Sequence, residues 1–170
     1  MLPIQKITPN LWFNHQAEEA ARFYTSIFKN AKMGRISRYG KEGFEIHGMP
    51  EGTVMTVEFG IEGQQFVALN GGPHFKFSEA ISFIVSCETQ EEVNYYWEQL
   101  GAGGDEKAQI CGWLKDQFGV SWQIVPTRLT ELLQDQKSEK SQRVMRALLQ
   151  MKKIEIRELE QAFQQGSSLK

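Results

Sequence analysis

The sequence predicts an α+β fold in which two βαβββ units form one curved mixed sheet, followed by a C-terminal helical tail. Three observations predict it. Glu18-Glu19-x-x-x-Phe23-Tyr24 recurs as Glu91-Glu92-x-x-x-Tyr96-Trp97, at an offset of 73 residues. The same offset lays the strand-like stretch 7 to 14 over 80 to 87. Beyond Pro126 the alternation of strands gives way to apolar residues at helical spacing. Each unit alone would leave one sheet face uncovered, so the two are expected to share an inner concavity with helices outside. Residues 1–127 then make the paired domain, with unit one at about 1–72 and unit two at about 78–127, and residues 128–170 make the extension.

Residues 4 to 14 read as a strand, with Asn14 placed to cap the following helix. That helix carries Ala17, Ala20, Ala21, Tyr24, Ile27 and Phe28 along one stripe, with Glu18 and Glu19 in its first turn. Strands follow at about 31 to 39, 53 to 60 and 64 to 70, the last two joined by Gly60-Ile61-Glu62-Gly63. The Gly- and Glu-rich segment 40 to 52 reads as a mobile loop. The second unit begins with the strand Ala80 to Cys87 and a helix over 90 to 100 built on Val93, Tyr96, Trp97 and Leu100. Gly101-Ala102-Gly103-Gly104 stops that helix, and a short strand is expected toward Ile110. A hairpin then runs from Cys111 to Pro126. Asp116 opens and Gly119 closes its type I turn, and Pro126, which lacks an N–H, ends the second strand. In that strand Val120, Trp122 and Ile124 share a face suited to packing beneath a helix, while Ser121, Gln123 and Val125 point the other way. The tail shows Leu129, Leu132 and Leu133, then Val144, Leu148 and Met151, then Ile156, Leu159 and Phe163, with Ser138 as a helix cap. These narrow stripes suit helices lying on a surface of this chain or of a second subunit.

Composition excludes several classes. A net charge of −2 with no basic block gives no electrostatic footprint for nucleic acid or an anionic membrane. Cys87 and Cys111 are too few and too far apart for a disulfide framework or a zinc site. No apolar run reaches membrane-spanning length and no leader is visible, which points to a cytoplasmic protein.

Trp12-Phe13, Glu18-Glu19-Ala20, Phe75-Lys76-Phe77-Ser78-Glu79-Ala80, Cys111-Gly112-Trp113 and the stretch Phe118 to Pro126 together resemble one family. It is the PhnB-like, 3-demethylubiquinone-9 3-methyltransferase-like branch of the vicinal-oxygen-chelate (glyoxalase/bleomycin-resistance) superfamily. The resemblance implies a cavity lined by the first and last strands of each unit. Metal-dependent members place His or Glu there, and matching by strand pattern puts Pro9 or a neighbour, Ala68, Ser82 and Gln123 at the four places. Pro and Ala offer no side-chain donor and neutral Ser and Gln are weak ones, so no metal and no cofactor is expected.

The candidate ligand-binding residues are Trp12, Asn14, Asn70, Phe75, Ser82, Trp113, Trp122 and Gln123, aromatic surface interleaved with hydrogen-bonding groups. His15, His47 and His74 fall at no ligand spacing; His74, between the units, is the one candidate acid or base. The glycine run 101 to 104 follows a helix, the reverse of the strand-glycine-helix order that holds a nucleoside cofactor. The expected function is metal-free binding of a small, partly apolar molecule by a homodimer. The competing reading is an enzyme, either methyltransferase-like or, with a different ligand register, a metal-dependent lyase or dioxygenase.

Overall fold

The structure, a computed structural model, describes residues 5–165. The expected strand start at Ile4 and the end of the tail lie outside the described residues. Two compact units divide the chain, Met1–Phe77 and Ser78–Lys170, so the tail helices belong to the second.

Unit one holds β1 (Asn10–Phe13), α1 (Ala17–Ile27), β2 (Ala31–Arg38), the one-turn α2 (Phe44–His47), β3 (Val54–Ile61) and β4 (Gln64–Asn70). The sheet order is β1-β4-β3-β2, with β1 parallel to β4 and the other pairs antiparallel. Alternation decides the faces. Phe13, Val57, Phe59, Phe66 and Ala68 are buried. α1 lies against this face, with Tyr24 stacked on Phe59. The expected cap is different in kind. Asn14 makes no cap bond, and it is the buried Asn70 whose Oδ1 accepts from Ala17 N at 2.8 Å while its Nδ2 donates to Val54 O at 3.0 Å. A residue at the end of β4 thus ties the start of α1 to β3. Asn70→Ala would leave both partners unpaired, and a urea melt should read a loss of about 2 kcal/mol. The segment expected to be a mobile loop contains α2, bounded by Gly43 and Gly48 at positive φ. The His47 ring meets Tyr39 at 4.5 Å, tilted by 35°, and its Nδ1 accepts from Met49 N.

Unit two holds β5 (Ser82–Cys87), α3 (Gln90–Gly101), β6 (Trp113–Lys115), β7 (Ser121–Pro126), α4 (Thr127–Leu132), α5 (Glu139–Leu148) and α6 (Ile156–Gln164). Its sheet order is β5-β7-β6, with β5 parallel to β7. The duplicated strand-helix-strand plan is present, but as two separate sheets, and the second is one strand short. Where a strand was expected toward Ile110, Asp105 accepts from Lys107 N at 2.9 Å and starts a 3-10 turn over Glu106–Ala108. Ile110 keeps only an isolated bridge to Trp113, across a two-residue turn in which Cys111 (φ 51) and Gly112 (φ 84) both take positive φ. The Cys111 and Gly112 N–H groups donate instead to Met151 O and Lys152 O, each at 2.8 Å. The tail thus takes the two donors of the turn. Its helices close over Leu129, Leu132, Val144, Leu148, Met151, Ile154 and Leu159, and Ser138 caps α5 as expected.

Candidate functional site

The hairpin turn sets the geometry of β7. Gly119 N donates to Asp116 O at 3.0 Å, and Gly119 takes φ 89, which a residue with a Cβ would resist. The buried Asp116 carboxylate accepts from Phe118 N (2.9 Å), Val120 N (3.0 Å) and Trp122 Nε1 (2.8 Å). Trp122 is therefore fixed in the core, 3% exposed, its ring 5.4 Å from Phe83 and on the face that α3 covers. The expectation that Trp122 lines a ligand site is corrected by this placement: a side chain buried under a helix with its N–H engaged offers no surface to a ligand.

The alternate residues of β7 do face an opening. Gln123 and Val125, with Ile84 and Ser86 of β5 and Trp113 of β6, form the sheet side of a cleft of about 650 Å³. Thr127, Leu129, Thr130, Glu131 and Gln134, in and just beyond α4, make the opposite wall with Leu148 and Ile154, and Cys111 lies at its edge. Gln123 Nε2 donates to Ser82 Oγ at 2.9 Å, which aims the amide along the sheet. Next to this pair in the register, Ser121 Oγ is buried without a hydrogen-bond partner. Lys115, opposite Ser121, pairs with Glu79, and that hydrogen bond holds the Glu79 carboxyl below the usual carboxylate range.

Of the expected residues, Trp113 and Gln123 line the cleft and Ser82 orients Gln123. Trp12, Asn14, Asn70 and Phe75 lie in unit one. There Trp12 donates to Gly72 O at 2.9 Å, meets Phe75 edge-on at 4.9 Å, and sits so close to Gly71 that a Cβ there would fall 2.2 Å from the ring. Asn70 is spent on α1, and Asn14 is exposed. His74 is exposed, and among the described residues no nucleophile or carboxylate bonds it. The residues missed by sequence reasoning are Ile84 and the walls from α4 and α5. Ile84, 62% exposed on an inner strand position, is an apolar residue the alternation could have flagged.

The four places matched to metal ligands do not fit a divalent ion. Ala68 is wholly buried rather than facing a cavity, because alternation puts it on the covered face of β4 with Phe66 and Asn70. Ser82 and Gln123 share a hydrogen bond and bring no negative charge to offset an ion's dehydration. Among the described residues no three His, Cys, Asp or Glu side chains converge. Burial pushes the Cys87 thiol up to about 12, with the Glu92 charge adding to it, so this cysteine is a core residue rather than a thiolate donor. The glycine run closes α3, Gly104 N donating to Gly101 O at 3.0 Å, and leads into the 3-10 turn rather than a helix that could hold a pyrophosphate.

Residues 5–125 match the family model described as 3-demethylubiquinone-9 3-methyltransferase. No curated protein matches the chain. Among solved structures, the PhnB protein from Bacillus cereus is 36% identical, with 72% of this chain and 100% of that chain covered and a TM-score of 0.63. Protein PA1353 from Pseudomonas aeruginosa is 18% identical over 72% of this chain and 98% of its own, with a TM-score of 0.54, a likeness of fold alone. Among the described residues no helix is long and apolar enough to cross a membrane. With motifs, paired units and family match agreeing, the chain belongs to the PhnB-like 3-demethylubiquinone-9 3-methyltransferase family.

Proposed function

We propose that this protein binds a small, partly apolar molecule without a metal ion, in the cleft over the open sheet face of unit two. The observation that carries this reading is the composition of one concave wall. A tryptophan, two aliphatic side chains and an oriented amide share it, the mixture that holds and aligns a small ligand. Hydrogen bonds and shape supply the affinity, and no step calls for a divalent ion or for S-adenosylmethionine. The reading also takes the protein to be cytoplasmic and a homodimer. Exposed apolar side chains such as Ile46 (87%) and Ile81 (75%) support pairing, since a second copy would cover some of them. Sedimentation should show a dimer, and a monomer at micromolar concentration would remove that part.

The test of binding uses N-phenyl-1-naphthylamine, a neutral aromatic dye whose fluorescence rises out of water. The full chain should bind it saturably, equally well with and without EDTA. Trp113→Ala should weaken binding about fivefold, from the loss of roughly 1 kcal/mol of ring contact. Calorimetry with millimolar S-adenosylmethionine should give no saturable heat. Dye binding abolished by EDTA, or saturable binding of S-adenosylmethionine, would overturn the reading.

A further inference from the structure

The family match ends at residue 125, yet half of the cleft lies beyond it. Leu129, Thr130 and Glu131 come from α4, Leu148 from α5, and Ile154 from the segment before α6. This wall is held firmly. Arg128 of α4 reaches Glu160 of α6 at 2.9 Å and pairs with Glu131 of its own helix at 2.6 Å, and Gln90 of α3 holds the tail at Ile154 O (3.1 Å) and Ile156 N (2.8 Å). Without the tail, the same sheet face would be an open surface with no opposing side.

Resting on the binding site proposed above, we infer that the C-terminal helices are the part of this chain that selects the ligand, and that they select a neutral one. The lining carries a single formal charge, Glu131, which already has Arg128 as its partner. The other polar groups on the wall are hydroxyls and amides, which can hydrogen-bond a neutral oxygen or nitrogen but cannot offset a buried ionic charge. The ligand class is an uncharged molecule with a flat apolar body and one or two hydrogen-bonding groups. Its body lies between Trp113 and Leu129, and its polar end meets Gln123 or Thr130.

The experiment compares two dyes of nearly the same aromatic body on the full-length chain: N-phenyl-1-naphthylamine, and 8-anilinonaphthalene-1-sulfonate, which adds one negative charge. The neutral dye should bind about tenfold or more tightly than the sulfonate, the cost of carrying a charge into a site with no free cation. Thr130→Trp adds bulk on the exposed side of α4, and it should weaken the neutral dye about tenfold while leaving the melting temperature unchanged. Gln134→Trp serves the same purpose if Thr130→Trp lowers the melting temperature. Equal affinity for the two dyes would overturn the selection of neutral ligands. Wild-type binding by the helix variants together with weakened binding by Trp113→Ala would place the ligand on the sheet alone, so the inference would fail while the binding site stood. If none of the variants changed dye binding, the site itself would be wrong, and the inference would fall with it.

Discussion

Replacing Asp116 by alanine should destabilise the second unit by about 4 kcal/mol, the largest effect expected of a single substitution in the hairpin. Its carboxylate, 2% exposed, accepts from two backbone N–H groups and from the Trp122 indole. Alanine would leave the buried donors of Val120 and Trp122 without a partner, and hydrogen bonds to a charged acceptor are roughly twice as strong as neutral ones. Asp116→Asn keeps one oxygen acceptor and should lose about half as much. Urea unfolding followed by tryptophan fluorescence reads both, and a loss below about 1 kcal/mol for alanine would show that the turn holds without its carboxylate.

Deleting everything after Pro126 should cost about 3 kcal/mol in the remaining chain and expose a new apolar surface. The Cys111 and Gly112 N–H groups would lose their carbonyl partners at Met151 and Lys152, and the half-buried Val125 would lose the tail cluster packed on it. The PhnB protein from Bacillus cereus is matched over its whole length by 72% of this chain, so a paired-unit fold can stand at that length. Here, though, the 110–113 turn has its backbone committed to the tail. A shortened chain as stable as the full one, with no added binding of apolar dye, would contradict this account of the extension.

Much of this architecture is legible in the sequence because it follows from local patterns. The spacing of Ala17, Ala20, Ala21, Tyr24 and Ile27 marks α1, and all five are buried as that stripe requires. Asp116 and Gly119 open and close a turn as their residue preferences suggest, and Pro126 does end β7. What sequence reading misses is long-range. Nothing local says that the amide of Asn70 reaches 53 residues back to cap α1, when Asn14 stands at the expected place. Where unit two lacks its strand, Asp105 begins a 3-10 turn instead, and the turn that follows gives its N–H groups to carbonyls some 40 residues away in the tail. The candidate site was half legible for the same reason. Alternation along β7 separates Gln123 from Trp122 and so identifies the open face, but the opposing wall is set by where α4 folds back, which no periodicity in β7 encodes. The strand repeat also misleads by one residue: at the 73-residue offset the buried Leu11 and Phe13 fall on the exposed Ile84 and Ser86.

The central claim is that the cleft between the open sheet face and α4 takes a small neutral molecule without a metal. The most direct measurement is a ¹⁵N-correlation titration of the full-length protein with N-phenyl-1-naphthylamine in EDTA, following the indole N–H signals of Trp12, Trp97, Trp113 and Trp122. The Trp113 signal should move saturably, while that of Trp122, hydrogen-bonded to Asp116 in the core, should stay in place. A Trp113 signal that does not respond, or one that responds only when a divalent ion is restored, would contradict the claim.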